Sequence, residues 1–591
     1  MCNKSIVTQL TEIPIVYMFL SCNEYGEGRY TGNPREGVSI MREIRFGVKS
    51  ILRLLLVAAI SIMALATISP TVYAKTVYAD SYGYNTIDAT NALQAALDDK
   101  TADTVIVANM GAPWIVRPIF IRRNNINIVF RDGVILQSQV GYRTTDCLVS
   151  CNCYSNITIT GYGATFKMNK SEYTYGQWRH CLQLNDVSNF QVYGLTLRDS
   201  GGDGIYIGDA VRKPGQYYNN GVTIKNCLCD NNRRNGISVI SAQNLVIDSC
   251  VIVNSNGNDP QEGIDIEPNW NYERLVNCTV SNCYIKDNYN SCIGINLVNF
   301  DCTTLPVSVN VQNCFLSTAK SGTAARGIMI PYGSNGAKAG GGCAGTLNIS
   351  NCLIESYQSN GLYLRNNAAI DGIVVKLTQC VFNQFNTINS SSWYYALIAL
   401  EGGDLTSAKE YGNLQMQDCV FWDNAYHPYF LQAAREDTNS LGCTKVSGNA
   451  WVVRAKGSSA YLGAKPSANN VRPTVLTTPP NMTITVSALN STAGKASGNQ
   501  GIYQFLRYTS NAYMPAAVKY QVSGNAVPGY DYSPMPGFAI FSPYNFTCTQ
   551  NLTPIPNTLT MGESLTSALS IEPSNMYSTS KPFSSNATIT N

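Results

Sequence analysis

Polar and ionisable side chains recur at fixed positions of a short repeated pattern, in which a buried Ile or Leu begins an alternating segment. Two residues before that apolar residue, successive repeats carry His180, Asp203, Asn235 and Glu262. The residues one position after it are Gln183, Tyr206, Ser238, Asp265 and Asn296, and Glu267 lies two further on from Asp265. The recurring segments are Gly204-Ile205-Tyr206-Ile207, Gly236-Ile237-Ser238-Val239, Gly263-Ile264-Asp265-Ile266, Gly294-Ile295-Asn296-Leu297, Gly327-Ile328-Met329-Ile330 and Gly361-Leu362-Tyr363-Leu364.

Paired carboxylates at this spacing predict glycoside hydrolysis. If the repeats stack at strand spacing, about 4.8 Å, residues two repeats apart lie on the order of 10 Å apart. That separation is close to the roughly 6.5 to 9.5 Å between the two carboxylates of an inverting glycosidase. We expect Asp203 to be the acid, Asp265 or Glu262 the base, and His180 to tune or share the proton. The side chains expected to bind substrate are Arg179, Arg234, Glu267, Tyr206 and Trp270.

Two other functions fit the same residues. In a polysaccharide lyase, the carboxylates of Asp259, Glu262, Asp265 and Glu267 would hold calcium against a uronic acid, and Arg233 or Arg234 would remove a proton. The hydrolase needs no cofactor. In a non-catalytic adhesin or surface protein, exposed rings would stack on sugars. The rings considered for stacking are Tyr206, Trp270, Tyr272, Tyr332 and Tyr363.

Each of these residues also has a structural interpretation. Asp203 precedes a glycine and would serve as a turn former, and hydrogen bonding within the fold would explain the acidic cluster. A lone histidine such as His180 is often simply packed in a core, and His427 is interpreted as structural.

The period-two alternation predicts short strands with one buried face. Seven cysteines share one local frame, a polar residue, Cys and an apolar run, at intervals of 23 to 39 residues, which is typical of a solenoid. Each repeat has about three strands and no helix, and Asn at the bends tolerates left-handed backbone. The sequence therefore predicts an all-β, right-handed parallel β-helix, and an Ala- and Leu-rich segment, residues 88–97, predicts a capping helix with an Asp or Thr N-cap.

The cysteines are expected to be mostly free core thiols, because cysteines that repeat at one structural position stack and behave as small hydrophobes. The seven that share the frame are Cys227, Cys250, Cys283, Cys314, Cys352, Cys380 and Cys419. Any disulfides are expected among Cys147, Cys151, Cys153, Cys302 and Cys343.

Residues 76–455, with the run Ile115 to Ile121, Gly133-Val134-Ile135-Leu136 and the Asn-Cys and Gly-Ile repeats, resemble the pectin-lyase-like family of right-handed β-helix repeat proteins. Within it, Trp178-Arg179-His180 and Gly263-Ile264-Asp265-Ile266-Glu267 look like a bacterial group associated with carbohydrate-active proteins. The Asn-Thr-Asp, Gly-His-Gly and Arg-Ile-Lys motifs of polygalacturonases and the Asp-Pro-His-Glu motif of alginate epimerases are absent from the sequence.

A second domain is predicted after the β-helix, which is assigned residues 75–455. A proline-punctuated linker, 456–481, leads to a small β-sandwich, 482–591, that is similar to a Calx-β domain. Asn490, Lys495, Asn557 and Asn591 stand where that family usually has acids, so the resemblance implies no calcium binding here.

The amino terminus predicts secretion. Residues 1–74 are a leader, and within it 41–74 combine basic residues, an apolar run and Val72-Tyr73-Ala74, as in a signal peptide. The alternative for this segment is a membrane anchor. Charged residues make up 13% of the chain with a formal net charge of +3, which excludes a strong field for nucleic acid or anionic membranes. We expect an extracellular monomer whose partner is a polysaccharide or glycan.

Overall fold

The computed structural model describes residues 74–209, 218–318, 325–332, 343–356, 359–367, 372–384, 396–402, 410–424, 427, 429–434, 442–453, 459–461, 469–556 and 563–591. The predicted signal peptide lies almost wholly outside the described residues, as does Asn557. Residues from Ala74 to Asn591 form one compact unit. Within the described residues, no helix is both long and apolar enough to span a bilayer.

Three faces of parallel strands wind into a rod, which confirms the predicted right-handed parallel β-helix. Strands are numbered β1 to β45 in chain order. Alternate side chains of each strand point inward, and the inward rows of all three faces form one continuous apolar core. One face, a 12-stranded sheet, carries the repeated Gly-Ile segments. Its strands are β4 (Ile119–Ile121), β7 (Val149–Asn152), β10 (Leu182–Asn185), β13 (Ile205–Gly208), β16 (Ile237–Val239), β19 (Ile264–Ile266), β22 (Ile293–Ile295), β25 (Ile328–Pro331), β28 (Leu362–Arg365), β31 (Ile398–Glu401), β33 (Tyr429–Ala434) and β35 (Ser459–Tyr461).

The other two faces belong to one 24-stranded sheet. The second face contains β1 (Thr76–Tyr78), β2 (Thr104–Val107), β5 (Ile126–Phe130), β8 (Ser155–Thr160), β11 (Ser188–Tyr193), β14 (Asn219–Lys225), β17 (Ala242–Asp248), β20 (Leu275–Ser281), β23 (Val307–Gln312), β26 (Gly345–Ser350) and β29 (Val374–Thr378). The third contains β3 (Trp114–Val116), β6 (Ile135–Ser138), β9 (Thr165–Lys167), β12 (Thr196–Arg198), β15 (Leu228–Asp230), β18 (Val251–Val253), β21 (Tyr284–Lys286), β24 (Phe315–Ser317), β27 (Leu353–Ser356), β30 (Val381–Gln384) and β36 (Asn470–Leu476). The long strands β32 (Glu410–Asp423) and β34 (Gly442–Val453) run along both.

Asparagines with left-handed backbone make the bends between faces, as predicted. Asn125, Asn156 and Asn189 have φ of 57°, 58° and 50°. Their carboxamides form a ladder along the rod: Nδ2 of Asn156 donates to Oδ1 of Asn125 at 2.8 Å, and Nδ2 of Asn189 donates to Oδ1 of Asn156 at 3.0 Å. The ladder links the bends of successive coils through side-chain hydrogen bonds.

The repeated cysteines form a buried column, and the prediction of free core thiols is confirmed for all seven. Each follows a residue at a bend, so its side chain turns into the core, and each is a free thiol. Burial raises the pKa of Cys419 to about 12. Of the five cysteines predicted to be available for disulfides, Cys147, Cys151 and Cys343 are buried free thiols as well.

The amino-terminal end of the rod is covered by helix α1 (Thr90–Asp98), which buries Ala92, Leu93, Ala96 and Leu97. Ala89 is at the N-cap position, so the predicted Asp or Thr cap is one residue off. The Asp88 carboxylate nevertheless accepts the Thr90 N–H at 3.0 Å, which satisfies one of the unpaired donors of the first turn.

The parallel sheet continues past residue 455, the predicted end of the rod. β36 pairs with β34 through residue 476, so part of the predicted linker is a strand of the solenoid. Two sheets of mainly antiparallel strands then form the predicted sandwich. Its strands are β37 (Met482–Asn490), β38 (Thr492–Gly494), β39 (Gly501–Thr509), β40 (Ala516–Gly524), β41 (Phe538–Phe541), β42 (Thr547–Leu552), β43 (Ser564–Ile571), β44 (Ser578–Thr579) and β45 (Ser584–Thr590). The Calx-β resemblance stays a prediction; Lys495, at one of its acidic positions, forms a buried 2.7 Å ion pair with Asp531.

The sandwich packs along the third face of the rod. Its core includes outward-facing rod residues such as Phe315, Leu353 and Trp422. Lys519 Nζ also lies 3.2 Å from Oε2 of Glu355 on the rod. The carboxy-terminal domain is therefore docked on the solenoid.

Candidate functional site

The predicted polar column exists on the 12-stranded face. Gln183, Tyr206, Ser238 and Asp265 are successive partners in the parallel register of β10, β13, β16 and β19. The next partner is Gly294 and not the predicted Asn296. The prediction for Asn296 is wrong because Cys292 replaces the usual glycine and Ile293, rather than Ile295, begins this repeat. Asn296 lies beside the column and donates to Oδ1 of Asp265 at 2.9 Å.

Arg234 is the centre of the site. Its guanidinium lies 3.3 Å from Asp203, 3.3 Å from Asp265 and 3.1 Å from Glu267. Burial lowers the pKa of Arg234, but the three carboxylates together raise it above its usual value. Arg234 therefore stays charged and is unsuited to act as the base of the lyase alternative. Arg233, the other candidate base, donates to the backbone carbonyls of Gly176 and Thr174.

Asp203 and His180 form a buried pair behind Arg234. Both are fully buried, and the imidazole stacks on Tyr206 with 4.6 Å between ring centroids and an 11° tilt. Nδ1 of His180 accepts the backbone N–H of Asp203 at 2.9 Å, which assigns the ring proton to Nε2. Burial lowers the pKa of His180 to about 4, so the ring is neutral near pH 7.

Asp265 and Glu262 are fully buried as well. Asp265 accepts hydrogen bonds from Arg234 and from Nδ2 of Asn235, at 3.3 and 3.0 Å. Burial raises its pKa to about 8, against the opposing effect of Arg234. Burial also raises the pKa of Glu262 well above its usual range. Among the described residues, neither carboxyl oxygen of Glu262 has a hydrogen-bond partner. The Glu262 carboxyl lies over Gly294, where any larger residue would collide with it.

The groups that face solvent differ from the predicted catalytic set. A cleft of about 490 Å³ opens over the column. Three residues that were predicted to bind substrate line it, namely Tyr206, Arg234 and Glu267. The predicted catalytic residues are buried beneath it, namely Asp203, Asp265, Glu262 and His180. The structure therefore brings the predicted residues together but does not place the predicted acid and base against a bound sugar. The cleft lining is Gln177, Trp178, Tyr206, Arg234, Ile240, Asp259, Pro260, Glu267 and Asn269.

Six of the nine lining residues were absent from the predicted catalytic and substrate-binding sets, and two of these six, Trp178 and Asp259, have side chains that could act on a sugar. Trp178 is 41% exposed and meets Tyr206 edge to face with 6.0 Å between centroids. Its position two residues before His180 was the signal that could have indicated it. Asp259 belongs to the loop before β19, and Gln261 donates to it at 2.7 Å.

Arg179, which was predicted to bind substrate, is not among the residues that line the cleft. It is buried, donates to the carbonyls of Tyr142 and Tyr175 at 3.2 and 2.7 Å, and stacks over Tyr173. Its donors are thus used to hold the loop before β10, and its role is structural.

The four carboxylates of the calcium alternative are not gathered as ligands. Glu262 and Asp265 are buried below Arg234, whereas Asp259 is exposed on a loop. In the part of the chain that the structure describes, no three or more His, Cys, Asp or Glu side chains converge in a way that could hold a metal ion. Trp270 is exposed, as expected for substrate binding, and lies parallel to Tyr272.

Comparison with known proteins agrees with the fold. The model of the right-handed β-helix region matches residues 106–267 and 178–341. The A-module of mannuronan C-5 epimerase AlgE6 from Azotobacter vinelandii superposes with a TM-score of 0.50 at 11% identity, over 68% of this chain and 99% of that one. This likeness shows the fold alone.

Two curated proteins of Bacillus subtilis (strain 168) are similar in sequence over part of this chain. YclG, an uncharacterized protein, is 27% identical over 155 residues, 23% of this chain and 26% of YclG. YorA, an uncharacterized protein derived from the SPbeta prophage, is 23% identical over 203 residues, 32% of this chain and 34% of YorA. The matches thus span about a quarter to a third of these relatives.

Proposed function

We propose that this protein hydrolyses a neutral polysaccharide in the cleft over β13, β16 and β19, with Glu267 as the carboxylate that acts on the sugar. The observation that carries the proposal is Arg234, which joins three carboxylates and leaves one of them, Glu267, at the open surface. Aromatic rings beside a fixed carboxylate suit a sugar, because a ring stacks on the apolar face of the sugar while polar groups orient its hydroxyls.

The charge of the cleft favours a neutral substrate. Its charged lining residues are Arg234, Asp259 and Glu267, and the guanidinium is already shared among three carboxylates. A uronic acid polymer would bring further negative charge against this lining. Hydrolysis of an uncharged glycan is therefore favoured over the elimination reaction of a lyase. AlgE6, whose A-module shares the fold, is named for its action on mannuronan, but that likeness is not needed for this assignment.

The chemistry needs two carboxyl groups, one to protonate the leaving oxygen and one to activate water or attack the sugar. Glu267 and Asp259 enter the cleft from the loops after and before β19. Nη2 of Arg234 lies 3.1 Å from Oε2 of Glu267 and so holds this carboxyl group in place as the base or nucleophile. Proton donation is assigned to Asp259, the other acidic residue of the cleft lining. Asp203 and Asp265 then act as positioning residues, because they fix Arg234 and through it Glu267.

The test is an assay of the purified protein on a panel of neutral and acidic polysaccharides, with reducing ends and absorbance near 235 nm read together. We expect new reducing ends from a neutral glycan without added absorbance. Glu267→Gln should lower the rate at least about 100-fold. Asp98→Asn, which removes an exposed carboxylate at the capping helix, is the matched control and should keep the wild-type rate. Added absorbance on an acidic polymer, or full activity of Glu267→Gln, would refute the proposal.

Glycan binding without cleavage is the second candidate. The observation that favours it is the complete burial of Asp203 and Asp265, because a glycan held in the cleft would not reach these two predicted catalytic carboxyl groups. It predicts that a panel glycan binds, for example by isothermal titration calorimetry, and yields no reducing ends. Fresh reducing ends that disappear in Glu267→Gln would exclude it.

A further inference from the structure

A pair of exposed aromatic rings lies immediately beyond the cleft. Trp270 and Tyr272 are 57% and 45% exposed, and their rings are nearly parallel, 7° apart, with 6.2 Å between centroids. Contiguous exposed apolar surface on a soluble protein often marks a site that binds a ligand or a partner. Parallel rings present flat apolar surfaces of the kind on which a sugar ring stacks.

The loop that carries these rings is held in place from inside. Glu273 is buried and accepts the backbone N–H groups of Asn269 and Trp270, the latter at 3.0 Å. Nδ2 of Asn271 donates to Oδ2 of Asp301 at 2.9 Å, which ties the loop to the next coil of the rod. Because the backbone is already fixed, binding a ligand on the rings costs little loop ordering.

The rings are continuous with the cleft. Asn269, which lines the cleft, directly precedes Trp270 in the chain. Trp178 and Tyr206 form a second aromatic pair within the cleft itself. Glu267 precedes the loop, so a glycan that contacts Glu267 and extends past Asn269 reaches the parallel rings.

We infer that Trp270 and Tyr272 form a separate sugar-binding subsite, which holds the polysaccharide beyond the point of cleavage and makes the protein act within chains rather than at their ends. This inference rests on the proposed hydrolysis at Glu267. The ligand is a neutral sugar unit of the same polymer. An oligosaccharide too short to reach the loop binds no more tightly because of the subsite.

The test compares Trp270→Ala and Tyr272→Ala with wild type on long and short oligosaccharides of the panel polymer that wild type cleaves fastest. For long chains, KM should rise at least about tenfold while kcat stays within a factor of two; for the shortest cleaved chain, neither should change. Early products of wild type should span many lengths. Tyr508→Ala removes a ring of similar exposure on the sandwich and is the control, which should behave as wild type.

The outcomes separate this inference from the proposed function. Suppose that wild type cleaves the polymer. If both variants then keep the wild-type KM for long oligosaccharides, or if their KM rises equally for long and short oligosaccharides, the subsite is refuted and the hydrolase stands. If wild type cleaves nothing, calorimetry with the panel polymers decides: weaker binding by Trp270→Ala supports the subsite without catalysis. Equal binding, or none by any variant, overturns it.

Discussion

The Glu273→Gln substitution is expected to stabilise the protein at alkaline pH and to leave it almost unchanged at acidic pH. Glu273 is almost fully buried, and burial raises its pKa from 4.5 to about 7, with Asp209 beside it adding to the effect. The folded state therefore holds a proton on Glu273 that the unfolded state has lost. Stability conferred by this residue is complete below about pH 4.5 and declines as the pH rises to about 7.

The size of the effect follows from the shift in the pKa of Glu273. At 1.36 kcal/mol per pKa unit, ionisation of Glu273 costs up to about 3 kcal/mol of the free energy of unfolding above pH 7. A glutamine keeps the carbonyl that accepts the N–H groups of Asn269 and Trp270 and carries no charge. For a unit of this size, the entropy of unfolding is on the order of 1 kcal/mol per degree, so the predicted change in Tm is about 3 °C.

The assay is thermal unfolding of both proteins from pH 5 to pH 8.5, followed by circular dichroism. The Tm of the variant should exceed that of wild type by about 3 °C at pH 8.5, and the difference should vanish towards pH 5. Glu172→Gln, which removes an exposed carboxylate, should show no such pH-dependent difference. A variant less stable than wild type at pH 8.5 would refute the reasoning, because it would mean that the ionised carboxylate is the stabilising form.

Four further predictions concern the buried site and the core. Gly294→Ala should lower the free energy of unfolding by about 1 to 3 kcal/mol, because its methyl group would collide with the Glu262 carboxyl; Gly501→Ala, whose nearest new contact is 3.3 Å away, should lower it less in the same denaturant titration. Asp203→Asn should destabilise the protein by about 3 kcal/mol in guanidinium unfolding, since an ion-pair partner of buried Arg234 is lost; an unchanged midpoint would contradict this. His180→Gln should make stability less sensitive to acid, because burial lowers the pKa of His180 to about 4 and its contribution is lost as the pH falls from about 6.5; identical Tm profiles down to pH 4 would be evidence against it. The seven stacked cysteines should resist a thiol reagent in the native protein and react after denaturation; rapid native labelling, located by mass spectrometry, would show that the column is open.

The rod and its polar column were predictable because they follow from spacing. A period of two fixes which side chains turn inward, and parallel stacking then sets Tyr206 and Asp265 on one line two coils apart. The same spacing predicts the wrong partner for Asp265, namely Asn296, because Cys292 takes the place of a glycine and the repeat begins two residues earlier. The start of a repeat can be located in the sequence only where the glycine that precedes its apolar residue is present.

The burial of the acidic side chains could not be predicted. Whether Asp203 reaches solvent depends on loops such as the one before β10, and one sequence does not fix their path. The contacts of Arg179 could not be predicted either, because its partners are backbone carbonyls and the sequence does not show which carbonyls lie near a side chain. The pattern identified which groups meet but not which of them face solvent.

The docking of the sandwich has a consequence for any shortened form of the chain. Phe315, Leu353 and Trp422 point out of the rod and are covered only because the sandwich packs on them. Removal of residues 482–591 would expose a hydrophobic surface along several coils, and such a surface promotes self-association. The solenoid by itself would be poorly soluble. The carboxy-terminal domain therefore has a structural role, because it shields the apolar residues on the third face of the rod from solvent.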